Sequence, residues 1–539
     1  MVISNKPRRS LSFWLTAIAL LSVFLLFISR AAIYETDHQL ANIAGVLWGL
    51  VALLLGFLAM WASKSLGLKL KLIVTAVPAI LAGLFFYCFE YAGVTGEVLP
   101  SYRLRSFLRS KPPVRPQRPD VTAPEIAESH KHRFLQYLGN DRVGIVNEPI
   151  FATNWDRKLP TEVWRRPIGA GWSGFAVAEG IAVTLEQLDE EESLTAMSLA
   201  DGHTLWQVKR PGKHFHALGG LGPRSTPTIL QHQDTWLVVA LSAIGHLVCV
   251  DLKTGMLRWE HRLLELSETN QTDFEKGVNW GRAASPLVHD QRVIVPLGGD
   301  AKKIKGSLMA CSLDDGSVLW TQGTSQVSYA SPMLMTIHGV KQIVSVNEGD
   351  VTGHAWEDGR VLWKSDWPSN SNGAACASQP VQIDGNRILV GKGYTQGSKL
   401  FEVSIDGSDD PKWSTKDIWA INKILKTKFT SSIPYDGKLY GLSDGILECV
   451  KPDDGSRIWR GQRYGQGQSL MVNGTLIISS EDGRLVAVDR ETGKPIAEMS
   501  VLEGVTWNTF AVAGPYLLVR NGTEAVCLSS PTLGESSEQ

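Results

Sequence analysis

A short unit recurs along this chain: alternating apolar residues, a polar tight turn closed by glycine, and a tryptophan four residues after that glycine. The clearest copies are LTAMSLADGHTLW ending at Trp206, LVCVDLKTGMLRW at Trp259, LMACSLDDGSVLW at Trp320, HAWEDGRVLW at Trp363 and LECVKPDDGSRIW at Trp459. Weaker copies are SIDGSDDPKW at Trp413 and LVAVDRETGKPIAEM, which reaches Met499 with its aromatic residue lost; Trp164, in EVWRRPI, has the final strand without a turn. The end points lie roughly 40 to 60 residues apart, the length of a four-stranded sheet with its loops, so the pattern demands a stack of repeated sheets. Asp or Ser before the turn bonds local amides, Gly takes the positive φ of a bulged hairpin, and Trp on the outermost strand covers the gap between neighbouring sheets.

The final stretch, WNTFAVAGPYLLVRNGTEAVCLSS, supplies three strands but no terminal one, and EVWRRPI at the start of the repeats is that missing strand. Pairing the two leaves no unpaired edge. The sequence thus predicts an all-β, eight-bladed β-propeller over 134–530, with Trp164, Trp206, Trp259, Trp320, Trp363, Trp413 and Trp459 docking blade on blade.

Three apolar runs precede it, at about 11–29, 40–62 and 72–89, each near the length that crosses a bilayer as a helix. The first reads either as a span or as a signal peptide, and the side reached after the third is the same. Lys6, Arg8 and Arg9, with Lys64, Lys69 and Lys71, mark one side as cytoplasmic; Arg103, Arg105 and Arg109 oppose that assignment. The expected organisation is a transmembrane region over 1–98, a linker with a short helix over 99–133, the propeller, and a disordered tail over 531–539. The linker holds the proline-rich KPPVRPQRPDVTAP, and the helix is expected around 125–138. The expected placement is a multi-pass inner (cytoplasmic) membrane protein whose propeller faces the periplasm.

With 53 basic and 54 acidic residues the net charge is −1, so no field of the whole chain draws it to nucleic acid. The six cysteines form no CxxC pair; Cys249, Cys449 and Cys527 fall at one small-residue slot of different repeats and read as buried free thiols. His214 and His216 in KHFHAL lack a third ligand nearby, and no metal site is expected.

The DLKTGMLRW type of unit resembles the tryptophan-docking repeat of pyrroloquinoline quinone (PQQ) enzymes and related non-enzymatic propellers, over roughly Phe134 to Ser530. YLGNDRVGI, GWSGFAVAEGIAV, GPRSTPT, SYASPML and LVAVDRETG look especially like bacterial propellers similar to BamB, the barrel-assembly lipoprotein, although no lipobox is present. The resemblance implies a cofactor-free scaffold. The alternative it leaves open is a membrane-bound quinoprotein alcohol or sugar dehydrogenase, which would need PQQ, calcium and a catalytic Asp.

In a propeller, residues just before the first strand of each blade converge on the central channel. Pro227, Pro286, Pro332 and Pro380 mark one such position. Around it stand Ser173, Ser225, Thr226, Ser285, Ser331, Ser378, Gln379, Ser431, Ser432, Gln468 and Asn508, with Trp172, Arg224, Trp280, Arg282, Tyr329 and Trp507 just outside. Hydroxyls and amides of this kind either hold a ligand or cap local backbone, and the arginines and aromatic rings suit an anionic or peptide-like ligand. No aligned position is acidic, so no catalytic residue, resident cofactor or metal is expected. The expected partners are a membrane, through the N-terminal helices, and an unidentified protein, peptide or glycan.

Overall fold

A computed structural model describes residues 11–34, 37–105, 131–300, 302–408 and 411–531. The chain divides into two units, Met1–Pro116 and Gln117–Gln539. Lys6, Arg8, Arg9, Arg109, the proline-rich segment and residues 532–539 lie outside the described residues.

The first unit has three helices, α1 (Leu11–Tyr34), α2 (His38–Ala62) and α3 (Leu68–Cys88), each long and apolar enough to cross a membrane. Each begins at or before the predicted span, because polar residues such as His38 and Lys69 are tolerated in a helix end. Asp37 caps α2, accepting from the Leu40 amide at 3.0 Å. Phe89–Val94 pairs antiparallel with Pro100–Leu104, so Glu90 lies in a strand and residues 100–104 are not linker as expected. The turn of this hairpin is tied to α2, where Gln39 donates to the Gly96 carbonyl at 2.7 Å and Asn42 to that of Glu97 at 3.1 Å.

The second unit is built from repeated antiparallel sheets, eight of them with four or five strands. Sheet 1 runs from Ala176–Ala178 to Thr204–Pro211, sheet 2 from Thr228–His232 to Leu257–Arg262, and sheet 3 from Leu287–His289 to Val318–Gln322. Sheet 4 runs from Met333–Ile337 to Val361–Trp367, sheet 5 from Val381–Asp384 to Trp413–Ile421, and sheet 6 from Ile433–Tyr435 to Arg457–Arg463. Sheet 7 spans Gln468–Val472 to Pro495–Ser500 and gains Ile145–Val146 as a parallel strand. In sheet 8, Ala511–Ala513, Tyr516–Arg520 and Glu524–Ser529 are completed by Thr161–Pro167, paired antiparallel with Cys527 opposite Trp164.

Middle strands are buried on both faces, so they read as nearly continuous apolar runs such as LVVAL and LIIS. The outermost strands alternate. A bulge fixes each tryptophan opposite a small or slim residue: Trp206 on Ala196, Trp259 on Cys249, Trp320 on Ala310, Trp363 on Gly353 and Trp459 on Cys449. From there the indole N–H reaches the next sheet. Trp206 donates to Leu252 O at 2.8 Å, Trp259 to Leu313 O at 2.7 Å and Trp459 to Arg490 O at 3.1 Å. The turn glycine lies under the ring: a Cβ on Gly202, where φ is +73°, would come within 2.8 Å of Trp164.

Trp413 stands at the start of its strand, and Trp419 occupies the docking register opposite Leu400, donating to Pro452 O at 2.8 Å. Trp363 turns back to its own sheet and donates to Gln342 at 2.6 Å. In sheet 7 the equivalent register holds Ala497, not Met499.

Residues 131–138 form no helix, correcting that part of the expected linker. Instead Phe134–Glu148 is a plug that meets every sheet. Phe134 exchanges backbone bonds with Val177 at 2.9 and 2.7 Å, and Ile229 donates to Leu135 at 2.7 Å. Buried Arg142 donates to Pro286 O at 2.9 Å, Ser285 O at 3.2 Å and Pro332 O at 3.4 Å, and Gln379 donates to its carbonyl. Tyr137 bonds Ser431, Met471 donates to Gly144 at 2.8 Å, and Gly514 donates to Glu148 at 3.1 Å. Polar groups satisfied by the sheets in this way need no helical ladder, so 131–138 is not helical; residues 125–130 of the expected helix lie outside the described residues.

Candidate functional site: an aromatic mouth over a hydroxyl ring

The predicted ring residues split into two layers. Ser173, Ser225, Thr226, Ser285, Ser331, Ser378, Gln379, Ser431, Ser432, Gln468 and Asn508 are all buried. Several stitch one sheet to the next. The amide of Gly174 donates to Thr226 Oγ1 at 3.1 Å, that of Thr226 to Ser285 Oγ at 2.9 Å, and that of Ser285 to Ser331 Oγ at 2.9 Å. Gln379 N–H donates to Ser431 Oγ at 3.2 Å, so Ser431 and not Ser432 takes the linking position in sheet 6. Ser378 bonds Thr427 Oγ1 at 2.6 Å, Asn508 donates to Ser173 O at 2.8 Å, and Gln468 donates to Phe429 O at 2.8 Å and Trp507 O at 3.0 Å. Short hydroxyl side chains suit this work because they accept an amide proton at the crowded start of a strand.

The second layer is aromatic. Trp172 packs on Trp507 with centroids 4.7 Å apart, Trp507 on Phe429 at 5.1 Å, Phe429 on Trp280 at 6.4 Å, and Trp280 on Tyr329 at 5.7 Å. These residues precede sheets 1, 8, 6, 3 and 4, so the chain of rings runs across the mouth and not only around it. Trp172, Trp280 and Phe429 are half-buried, while Trp507 and Tyr329 are buried beneath them. The rings are held in place: Trp172 donates to Gly219 O at 2.6 Å, Trp507 to Glu481 at 2.8 Å, and Tyr329 to Ser371 O at 2.7 Å. Burial pushes the Tyr329 phenol well above its usual range, so it remains a neutral donor.

Arg224, half-buried, donates to Gly222 O at 2.9 Å and Gly219 O at 2.8 Å, pinning the hairpin of Phe215–His216 and Gly220–Leu221 beside Trp172. Burial pushes its guanidinium down to about 10, with Tyr329 and Glu192 opposing. That hairpin holds Phe215, which is 66% exposed, and His216, whose ring packs 5.5 Å from Trp280. Arg282 is not at the mouth; it is buried with its Cζ 4.2 Å from the Phe274 ring. His214 pairs with Glu275 at 2.9 Å, while His216 Nε2 faces Trp280 at 3.2 Å, so the two histidines do not share a ligand position.

Sequence reasoning did not single out Phe429 or Arg142. Phe429 carries no motif, and its meeting with Trp280 depends on the fold alone; Arg142 was visible only as part of YLGNDRVGI.

Among the described residues no group of three or more His, Cys, Asp or Glu residues is placed to hold a metal ion. All six cysteines are free thiols. The ring side chains that would face calcium and a quinone are hydroxyls and amides without a carboxylate among them, and they do not fit such a group.

Repeated antiparallel sheets of four strands, docked one on the next by tryptophan, define a β-propeller fold of the quinoprotein-repeat class. A profile described as outer membrane protein assembly factor BamB matches residues 123–279 and 190–461, and the chain belongs to that family. The BamB of Escherichia coli K12 is 23% identical over 207 residues, 36% of this chain and 47% of the relative. The match thus spans about half of that protein. The Salmonella typhimurium counterpart is 23% identical over 371 residues, 65% of this chain and 81% of its own. Among solved structures, BamB from Moraxella catarrhalis has a TM-score of 0.45 at 13% identity, covering 69% of this chain and 99% of that one. A quinohemoprotein alcohol dehydrogenase from Pseudomonas putida has a TM-score of 0.48 at 11% identity, covering 78% and 84%.

These relatives overturn the expected localisation. Their names tie the family to the assembly of the outer membrane, in conflict with the expected multi-pass placement in the inner membrane. Positive flanks of apolar helices read orientation only once the membrane is known, which the sequence did not supply.

Proposed function

We propose that this protein is a membrane-tethered binding scaffold for envelope assembly, that its eight sheets close into a single ring, and that its aromatic mouth takes a protein or extended peptide partner. The observation that carries the reading is the row Trp172, Trp507, Phe429, Trp280 and Tyr329, in which half-buried Trp172, Phe429 and Trp280 pack on the buried rings of Trp507 and Tyr329, with the Trp172 and Trp507 indoles held by hydrogen bonds. Rigid aromatic anchors with little left to lose in ordering dominate binding energy in protein interfaces. The ring hydroxyls beneath serve the fold and leave the mouth surface to recognition. Closure is supported by Thr161–Pro167 completing sheet 8 and by a plug that touches every sheet. The names of the relatives support assembly of outer membrane proteins as the process served.

The test is a photo-crosslinking amino acid placed in the full-length protein at Trp172, Trp280 or Phe429, with Ile458 on an outermost strand as the control. Adducts to a discrete partner from the mouth positions and none from the control are expected. Adducts from Ile458 alone would remove the mouth from consideration.

A further inference from the structure

Arg282 is 4% exposed, and its guanidinium is only half used. Nη1 donates to the carbonyls of Pro296 at 3.2 Å and Leu297 at 2.7 Å, while the Phe274 ring covers its face with Cζ 4.2 Å away. Nε and Nη2, the two donors of the opposite edge, are buried without a hydrogen-bond partner. Other buried arginines differ: Arg520 donates from Nε, Nη1 and Nη2, and Arg142 spends both Nη groups. Among the buried arginines of the described residues, Arg282 alone leaves both Nε and Nη2 without a partner.

No acidic side chain compensates this charge. Burial is the one influence on the guanidinium and pushes it down to about 9. A buried cation with an idle fork is a costly arrangement unless something fills it, and the Nε/Nη2 edge is the one that pairs side-on with two oxygens of an oxyanion. The residue beside that edge at position 245 carries no side chain. Gly245, with φ at +99°, stands where a Cβ would come within 3.0 Å of Nε.

We propose that the Nε/Nη2 edge of Arg282 binds a small free oxyanion close to the short helix α4 (Gln271–Gly277), which carries Phe274. A partner's side chain is the poorer fit, because the edge is closed over and not open to the surface. Arg282 follows Trp280 by two residues, and its amide donates to Ala243 O at 2.9 Å. An ion on this fork therefore fixes the connection that carries one of the mouth rings. The inference does not depend on what the mouth binds.

The test uses the full chain in detergent, with formate as the probe and chloride at equal ionic strength as the reference. Thermal midpoint is expected to rise with formate and to saturate, and crystals grown with formate should show density coplanar with the guanidinium, about 2.7–2.9 Å from both nitrogens. Inorganic phosphate, as a second arm, sets the size limit: a rise as large as with formate admits tetrahedral ions to the site. Arg282→Lys keeps the charge without the fork and should lose the formate response. If that variant does not fold, Gly245→Ala, which intrudes on Nε, should weaken the response. A midpoint that follows ionic strength alone, density for water only, or an undiminished response in both variants would overturn the proposal.

Discussion

The indole N–H of Trp164 donates to the carbonyl of Leu199 at 2.8 Å, and the ring lies over Gly202. This is the same contact that Trp259 makes with Leu313 and Gly316 inside the repeat array, yet it joins the strand of sheet 8 drawn from the start of the domain to sheet 1. If the ring is closed as proposed, Trp164→Ala should destabilise the domain like an interior docking residue, by about 3–5 kcal/mol. Trp413→Ala, at a half-buried strand end, should lose under about 1.5 kcal/mol. Chemical denaturation of the two variants beside Trp259→Ala checks this. Equal small losses for Trp164 and Trp413 would argue for an open array.

The repeats were legible because both of their determinants are local. A turn glycine and a tryptophan four residues later fix a bulge and a register within one hairpin, as at Gly255 and Trp259. Where the turn departs from that form the reading slipped. SIDGSDDPKW delays the bulge, and the docking register falls on Trp419. The mouth was legible only in part. Trp172, Trp280, Tyr329 and Trp507 follow from alignment of strand starts, but Phe429 joins them through contact across sheets far apart in sequence, which no local pattern encodes. The plug has no local signature of this kind, because backbone bonds to Val177, Ile229, Met471 and Asn473 and side-chain bonds to the remaining sheets hold it, not its own periodicity.

The ring hydroxyls act in folding, and Ser285 isolates that role. Its Oγ accepts the Thr226 amide while its own amide donates to Ser331. Ser285→Ala leaves one buried N–H without an acceptor and should destabilise by about 1–3 kcal/mol. Partner capture at the mouth should be unchanged once temperature is kept well below the midpoint.

Arg142 bears the plug. Arg142→Met preserves bulk while stripping the donors to Pro286, Ser285 and Pro332; the Pro286 carbonyl keeps Thr228 Oγ1 at 2.7 Å, while the Ser285 and Pro332 carbonyls lose the guanidinium. A loss of several kcal/mol is expected. Hydrogen exchange should rise first at the amides of Met471 and Asn473, which donate to Gly144 and Val146 at 2.8 and 3.0 Å. Exchange rising uniformly over the domain instead would mean that the plug has no separate anchoring role.

Glu192 should give the domain an acid-side stability maximum. It is 2% exposed and accepts from the amide of Ala243 at 3.2 Å and of Ile244 at 3.5 Å. Burial raises its carboxyl from 4.5 to about 7, against the bonds from Ser242, Ile244 and Ala243 and the charge of Arg224. Because the folded state holds this proton more tightly than the unfolded chain, the stabilisation is fully present below about pH 4.5, declines as pH rises and is gone above about pH 7. The difference between the two limits is roughly 3 kcal/mol. Glu192→Gln is neutral at every pH, so it should exceed the wild-type protein in stability at pH 8 and flatten this part of the profile between pH 4.5 and 7. Urea midpoints of both proteins across that range decide it: parallel profiles would show that Glu192 is ionised throughout and that its two backbone bonds outweigh its burial.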